Sequence, residues 1–375
     1  MNRLLVAALL LLAACYPKWK GPRTDHFDGK HFTNHPQQPT KGEFLKWRRG
    51  KNRGYWPDWV TQAAGARPTA AVQCDDLRVT FVNHNTMLLQ TAGLNILTDP
   101  IWSERASPVK GAGPKRHRTP GIRFDDLPKI HLVLVSHNHY DAMDRDTLEK
   151  LSARHHPKIV VPLGNRDWLV DKGVVGVHEI DWWQSIPVSE QVKVMGVPAQ
   201  HKSGRGLTDR DRALWQGYVV ETPCGKIYFA GDTGMSDHFK KINEKVGPVR
   251  LALLPIGGYE PQWYMKLNHL NPTEAVEAHK IVQAQTTVAF HFGTFEVADG
   301  GLVDPLIELN KIMPPEIRPN FWVLNEGEAA MIPAMGAAAA DPAQGDGLIS
   351  GNPDETKPRR KRAKKKATEE TAPAE

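Results

Sequence analysis

Four apolar, strand-like runs of this sequence each end at residues of the types that bind metal ions, and this repetition constrains the fold more than any other feature. The runs are IHLVLVS, VKVMGVPAQ, KIYFAG and TTVAFHFGTF. The residues at or just beyond their ends are His137, His139, Asp141, His201, Asp232 and His291. One histidine after a strand is usually a surface or hydrogen-bonded core residue, but loops at strand ends often converge on a single site. Together the four runs predict a metal site at one sheet edge.

The rest of the pattern predicts sheets with helices packed on them. Between Leu77 and Pro100, apolar and polar residues alternate with Asn and Gly breaks, as in short antiparallel strands. Later strand-like runs are interleaved with helical segments at 145–155 and 273–283. The second segment has a clear start, since Asn271 can cap it and Glu274 completes a capping box. We therefore predict an α/β fold with packed sheets flanked by helices.

The N-terminal residues MNRLLVAALLLLAAC have the layout of a secretory signal, with a basic Arg3, an apolar stretch and small residues before Cys15. The stretch is shorter than the roughly 20 apolar residues that a permanent span requires. The segment LAAC resembles the lipobox of bacterial lipoproteins, in which the cysteine carries lipid after cleavage. Residues 1–14 are thus predicted to be a lipoprotein signal peptide, and the mature protein a membrane-anchored lipoprotein of the cell envelope. An ordinary signal peptide with an incidental cysteine is the alternative.

Composition divides the mature chain into 15–65, a tether and lead-in, 66–334, the main domain, and 335–375, a tail. The tail is rich in Ala, Pro, Gly and Asp, which predicts disorder. Its segment 357–366 holds eight basic residues, more than the net charge of +6, so the pI of 9.1 reflects the tail. The tail could contact anionic lipid headgroups or simply remain solvated. Nucleic acid is not an expected partner behind an export signal.

The cysteines give no framework for the fold. The chain has three, and no CxxC motif occurs, which disfavours a cysteine-based zinc site. With Cys15 lipidated, Cys74 and Cys224 remain, and sequence alone cannot pair two thiols so far apart. We expect them to be two small buried residues.

The motifs themselves resemble the metallo-β-lactamase superfamily, and most closely its N-acylphosphatidylethanolamine-hydrolysing phospholipase D branch. The resemblance extends from about Leu97 to Phe295, through LTDPIWSERASP, GPKRHRTPG, SHNHYD, VPLGNRDWL, DWW, PAQH, AGDTG, PIGGYEPQWYMK, HLNPTEAV and HFGTF. It implies an αββα sandwich, with two mixed sheets flanked by helices. It also implies two zinc ions in a cleft at one edge of the sheets.

The resemblance also assigns the ligands. It places His137, His139 and His201 on the first zinc, Asp141 and His291 on the second, and Asp232 between the two. The family motif continues with a histidine where this chain has Ala142, and a methyl group cannot bind metal. Three protein ligands would remain for the second ion, which is the number typical of catalytic zinc, so the site is expected to persist. Because one ligand is missing, the affinity for the second ion is expected to be weaker. Asp144 and His269 are candidate replacement donors.

The implied activity is a zinc-dependent phosphodiesterase that hydrolyses N-acylphosphatidylethanolamine, or a similar phospholipid, by the phospholipase D reaction. Asp141 and Asp232 would orient the attacking water as well as bind metal. His269 is predicted to contact the phosphate or to donate a proton, although a plain loop histidine is an alternative. Two alternative hypotheses remain: a lactonase or other small-substrate metallohydrolase, and a non-catalytic lipoprotein with a degenerate metal site.

Two further motifs could contact the lipid. In GPKRHRTPG, the residues Lys115, Arg116 and Arg118 could hold an anionic headgroup, or form a solvated loop. The pairs Trp182–Trp183 and Trp263–Tyr264 could line an acyl chain or a membrane interface. Core packing is the stronger expectation for Trp182–Trp183.

Overall fold

The computed structural model describes residues 16, 18–34, 40–50, 53–62, 65–206 and 208–337. The predicted signal peptide, its Cys15 and the tail beyond residue 337 lie outside the described residues. Two seven-stranded sheets form the centre of the described part.

The first sheet has the strand order β14-β1-β2-β3-β4-β5-β6. Its strands are β1 (Leu77–Asn83), β2 (Thr86–Thr91), β3 (Leu94–Thr98), β4 (Leu132–Leu134), β5 (Lys158–Pro162), β6 (Val177–Ile180) and β14 (Ala329–Ile332). The neighbours from β14 to β3 pair antiparallel, and those from β3 to β6 pair parallel. The antiparallel strands β1, β2 and β3 confirm the prediction from the alternating residues after Leu77.

The second sheet has the order β13-β12-β11-β10-β9-β8-β7. Its strands are β7 (Ser185–Pro187), β8 (Lys193–Val197), β9 (Gly217–Thr222), β10 (Gly225–Phe229), β11 (Val249–Pro255), β12 (Ala284–Phe290) and β13 (Phe321–Trp322). Strands β7 to β10 pair antiparallel, and β10 to β13 pair parallel. Both sheets are therefore mixed.

Helices cover the outer faces of the sheets. They are α1 (Lys41–Arg49), α2 (Arg145–His155), α3 (Arg166–Asp171), α4 (His238–Val246), α5 (Gln262–Met265), α6 (Pro272–Ile281) and α7 (Asp304–Ile312). Helix α6 begins as predicted, because Asn271 accepts a hydrogen bond from the Glu274 amide in a capping box. Among the described helices, none combines the length and apolar composition that crossing a bilayer requires. The layers confirm the predicted αββα sandwich.

Alternate residues of the first sheet enter two different cores. Val133 and Ile159 face outward and pack with Leu148 of α2. Leu132 and Val160 face inward, towards the second sheet. This sharing of one strand between two apolar layers explains the nearly continuous hydrophobic runs of the sequence.

Part of the segment expected to be a tether and lead-in packs on the main domain. The Tyr16 ring is 3% exposed, and its hydroxyl donates a hydrogen bond of 2.5 Å to Asn165 Oδ1. Phe27 and Phe32 are buried in a small cluster with Trp215. The aromatic residues of this segment therefore hold it against the domain surface.

The expectation for the two remaining cysteines is wrong. Cys74 and Cys224 are half-buried and form a disulfide, with their Cα atoms 5.9 Å apart. Cys74 precedes β1 of the first sheet, and Cys224 lies in the turn between β9 and β10 of the second. The bond therefore links the two sheets across 150 residues of sequence, a proximity that only the tertiary fold creates.

Candidate metal centre

The polar residues at the strand ends converge on one edge of the sandwich. His137 follows β4 of the first sheet, while His201, Asp232 and His291 follow β8, β10 and β12 of the second. The turn between β1 and β2 reaches the same edge. All six predicted ligands lie here, in groups whose ligand atoms are within 4.8 Å of one another.

The first group consists of His137, His139 and His201. Nδ1 of His139 lies 3.2 Å from Nε2 of His201. The outer nitrogen of His201 is 2.9 Å from the Asn268 carbonyl oxygen, and that of His137 is 2.8 Å from the Ser136 hydroxyl. These contacts leave Nε2 of His137 buried without a hydrogen-bond partner in the described part of the chain. Three converging imidazoles, two of them with outer hydrogen bonds, fit a metal ion, since such bonds commonly fix the ring of a ligating histidine.

The second group consists of His84, Asp141 and His291. His84 Nε2 lies 3.1 Å from Asp141 Oδ2, and the rings of His84 and His291 are 4.5 Å apart. Within the described residues, Nδ1 of the buried His291 ring has no hydrogen-bond partner, and its Nε2 makes an ion-pair contact with the Asp232 carboxylate. A carboxylate and imidazole nitrogens are ligands that a divalent transition metal accepts.

Asp232 lies between the two groups. Its Oδ2 is 3.2 Å from Nε2 of His291, 3.7 Å from Nε2 of His137 and 4.0 Å from Nε2 of His201. One carboxylate oxygen therefore faces ligand atoms of both groups. This is the placement that a ligand shared by two ions requires.

The protonation states also suit a cation. Although burial alone would raise them, the neighbouring histidines hold the pKa values of Asp141 and Asp232 below the ordinary range, so both carboxylates are ionised. Burial lowers the pKa values of His139 and His201, which keeps these imidazoles neutral. Burial opposes protonation of His291 too, but the Asp232 carboxylate raises its pKa to about 9. Two carboxylates thus already attract positive charge to this position, and a metal ion would displace that proton.

One of the two candidate replacements for the missing histidine is not at the site. Ala142 is fully buried in the loop that carries His139 and Asp141. The Asp144 carboxylate accepts hydrogen bonds from the backbone and hydroxyl of Ser103 instead, so the prediction for Asp144 is wrong. It precedes α2 and holds that helix start to the neighbouring loop.

His269 does reach the centre. Its ring lies 5.2 Å from the ring of His201 and 5.1 Å from that of His291, and it forms a further group with His201 and Asp232. Burial lowers the pKa of His269 to about 3, so the free protein holds it as a neutral imidazole. It can then donate one N–H hydrogen bond to a bound oxygen.

Sequence reasoning missed His84 and Asn85, which form the turn between β1 and β2. In the sequence, VNHNT indicates only the break between two strands. Asn85 donates a hydrogen bond of 2.9 Å to Asp232 Oδ1, so both turn residues touch predicted ligands. A histidine at the end of a fifth strand-like run was the available signal.

The basic motif GPKRHRTPG is mainly structural. Arg116 is 5% exposed and donates hydrogen bonds to the carbonyl oxygens of Ile101 and Ser103. Arg118 forms an ion pair of 2.6 Å with the buried Glu326. These contacts pair Arg116 with backbone carbonyl oxygens and Arg118 with a buried carboxylate, so the headgroup contact expected for them is not supported.

The Trp182–Trp183 pair packs against the protein, in agreement with the predicted core packing. The indole of Trp182 donates a hydrogen bond to the Trp215 carbonyl oxygen and stacks on His26, with ring centroids 4.3 Å apart. Trp263 is different, since 45% of it is exposed at the surface.

Comparison with known proteins gives the family and the fold. The family described as "Beta-lactamase superfamily domain" matches residues 94–292. N-acyl-phosphatidylethanolamine-hydrolyzing phospholipase D 1 of Caenorhabditis elegans is 41% identical over 230 residues, which cover 58% of this chain and 64% of the relative. The mitochondrial N-acyl-phosphatidylethanolamine-hydrolyzing phospholipase D of Saccharomyces cerevisiae is 35% identical over 241 residues, 61% of this chain and 51% of the relative. The chain thus spans less than two thirds of the length of each.

A solved structure with the same fold is the isothiocyanate hydrolase from Delia radicum gut bacteria. Its TM-score is 0.54, at 18% sequence identity, and the match covers 70% of this chain and 100% of that protein. At this identity the likeness concerns the fold, which again is the αββα sandwich.

Proposed function

Because the chain belongs to the β-lactamase superfamily and has its hydrolase fold, we propose that it is a zinc-dependent phosphodiesterase that cleaves N-acylphosphatidylethanolamine or a similar phospholipid. The observation that carries the proposal is the position of Asp232, whose one oxygen faces the histidines of both groups. The two relatives named as phospholipases D support the substrate class.

Zinc is the proposed metal because the donors are imidazole nitrogens and carboxylate oxygens. Two zinc ions held by these residues would lower the pKa of water and neutralise charge on a phosphoryl group. The chain prepares the ligands before any ion binds, since His84 contacts Asp141 and Asn85 contacts Asp232. The carboxylates therefore need little rearrangement when they bind or when they orient the attacking water.

The phospholipase D reaction forms one P–O bond and breaks another. Oxygen from water bonds to phosphorus, and the bond from phosphorus to the ethanolamine oxygen breaks, which yields phosphatidate and N-acylethanolamine. The departing oxygen needs a proton or a hydrogen bond. His269, beside His201 and His291, is the proposed donor to the leaving or phosphoryl oxygen.

A lysine next to the first group supports an anionic substrate. Lys202 directly follows His201, and its ammonium lies 5.5 Å from the centre of the Tyr264 ring. Burial lowers the pKa of Lys202 to about 8, so the group is mostly cationic at neutral pH. A cation at the edge of the centre would attract a phosphodiester.

Two adjoining grooves of very different volume, about 30 Å³ and about 1130 Å³, lie on this side of the protein. One is bordered by His291, and a second, larger one is lined by Trp47, Trp263 and Ile307. The grooves share Tyr259 and other residues of the same loop. Of the two, the larger has room for an acyl chain, and although charged residues such as Glu308 and Lys311 also line it, the exposed indole of Trp263 offers an apolar surface there.

We also propose that Cys15 carries lipid and anchors the protein in the cell envelope. The Cys74–Cys224 disulfide supports export, because such bonds persist mainly in oxidising compartments. Replacement of Cys15 by Ala should release the protein from membranes or leave its precursor uncleaved. Unchanged membrane partition and processing would contradict the anchor.

The function is tested with zinc-loaded full-length protein on a substrate panel of N-acylphosphatidylethanolamine, phosphatidylethanolamine and an acyl-homoserine lactone. We expect phosphatidate from the first lipid and loss of most turnover in Asp232→Asn. Asp144→Asn is the matched control, since that buried carboxylate lies outside the metal groups. Turnover of the lactone alone would favour the lactonase, and no turnover of any substrate would favour a binding protein.

A further inference from the structure

The turn between β1 and β2 holds a histidine beside the position where the metal centre lacks one. We infer that His84 supplies the ligand that Ala142 cannot, so that the second metal site is complete. This inference rests on the proposed metal centre and concerns only which residue completes it.

The backbone fixes His84 next to His291. Its N–H donates a hydrogen bond of 3.0 Å to the Thr294 hydroxyl, and its carbonyl oxygen accepts one of 2.9 Å from the His291 N–H. The His84 backbone is left-handed, with a φ of 48°, a conformation rarely adopted by residues other than glycine. These restraints hold the imidazole at the site, and such unusual backbone is found most often at functional positions.

The side-chain distances fit a shared ion. His84 Nε2 lies 3.1 Å from Asp141 Oδ2, close to the 3.2 Å between the nitrogens of His139 and His201 in the first group. Two ligands of one tetrahedral zinc, each about 2.0–2.2 Å from it, are roughly 3.3–3.6 Å apart. The contact of His84 is therefore within a few tenths of an ångström of the spacing of two ligands on one metal. It also has the length of a hydrogen bond that only orients Asp141, and the experiment below separates these roles.

The ligand count then no longer depends on Ala142. Asp141, Asp232 and His291 provide three donors, and His84 makes a fourth, with a ring 1% exposed and 4.5 Å from that of His291. Ala142 directly follows Asp141 in the sequence and is itself fully buried. The second ion would then be bound by His84, which lies 58 positions before Ala142, the position where the family motif has its histidine.

The experiment measures bound metal, not activity. Full-length protein is saturated with zinc and gel-filtered, its metal content is determined, and the affinity for each ion is measured by chelator competition. We expect two zinc ions per chain in the parent. His84→Gln should keep a hydrogen bond to Asp141 but bind the second ion at least about 10-fold more weakly, as loss of a ligand should cost no less than loss of a supporting contact.

Two further variants serve as controls. His279→Gln changes a buried histidine that contacts Thr287, away from the centre, and should bind both ions like the parent. The double variant His84→Ala, Ala142→His should recover the second ion, because it moves the imidazole to the other position. Thermal unfolding of the metal-free forms establishes that each variant is folded, and His84→Asn replaces His84→Gln should the latter fail.

The outcomes are distinguishable. A parent chain that binds no zinc contradicts the proposed metal centre itself. A parent that binds one ion firmly, with a second affinity unaltered by the His84 variants, overturns the inference alone. If His84→Gln retains both ions at parental affinity, His84 is a positioning residue for Asp141 and not a ligand.

Discussion

The side-chain amide of Asn85 donates a hydrogen bond of 2.9 Å to Oδ1 of Asp232. This is the carboxylate oxygen that is not directed at the histidines. The other oxygen, Oδ2, is the one within 3.2 Å of His291 Nε2. Asn85 thus sets the rotation of the carboxylate that lies between the two groups. Because Asn85 is fully buried, water cannot replace this contact easily.

Asn85→Ala should therefore weaken the centre without unfolding the protein. We expect a loss on the order of 10 to 100-fold in metal affinity or turnover, the usual cost of removing a contact that orients a ligand. Asn85→Asp should be worse, because a second carboxylate beside Asp232 adds repulsion. Chelator competition and phosphodiester turnover check both variants.

Asn271→Ala is the control for that experiment. It removes the cap of α6, which should cost about 1 kcal/mol of unfolding free energy but leave metal affinity unchanged. If Asn85→Ala behaves like Asn271→Ala, the hydrogen bond to Asp232 serves stability alone.

The disulfide predicts a redox-dependent stability. Reduction, or the paired change of Cys74 and Cys224 to Ser, should lower the free energy of unfolding by about 2–4 kcal/mol, because the unfolded chain is no longer cross-linked. Denaturant unfolding with and without a reductant measures the difference. Equal midpoints in the two conditions would show that the bond does not contribute.

His26 predicts a pH dependence at the packed N-terminal segment. Its ring nitrogens lie 2.8 Å from Asp181 Oδ1 and 2.6 Å from Asp25 Oδ1. Burial alone would lower the pKa of His26, but these carboxylates raise it above 6.5. Because the pKa of His26 is raised, its pairing with the carboxylates stabilises the folded protein fully below pH 6.5. This contribution is lost as the pH rises through the pKa of His26 in the folded protein.

His26→Gln should accordingly destabilise the protein by about 1 kcal/mol in mildly acidic solution and by less in alkaline solution. Unfolding of the parent and the variant at a series of pH values gives the difference. A gap between them that widens as pH rises has the wrong sign and would contradict the assignment.

The sequence was informative wherever local pattern and tertiary position coincide. The four runs that end at His137, His201, Asp232 and His291 are strands whose ends meet, because strand ends in packed sheets share an edge. The α6 start was predictable from Asn271 and Glu274, since a capping box is a contact between residues three apart.

Features created by long-range packing were beyond this reasoning. The Cys74–Cys224 bond depends on how two sheets stack, and neither neighbourhood has a local signal for it. The sequence predicts that Arg116 binds anions, but burial against backbone carbonyl oxygens gives it a structural role. His84 was overlooked because a turn residue contacts Asp141 only after β1 and β4 are placed in one sheet.

The most direct test of the central claim is hydrolysis of N-acylphosphatidylethanolamine in water enriched in oxygen-18, with mass spectrometry of both products. Phospholipase D chemistry at this centre predicts one heavy oxygen in phosphatidate and none in N-acylethanolamine, because water attacks phosphorus. Asp232→Asn should abolish most of that incorporation. Heavy oxygen in a released fatty acid, or no labelled phosphatidate from the zinc-loaded protein, would contradict the account.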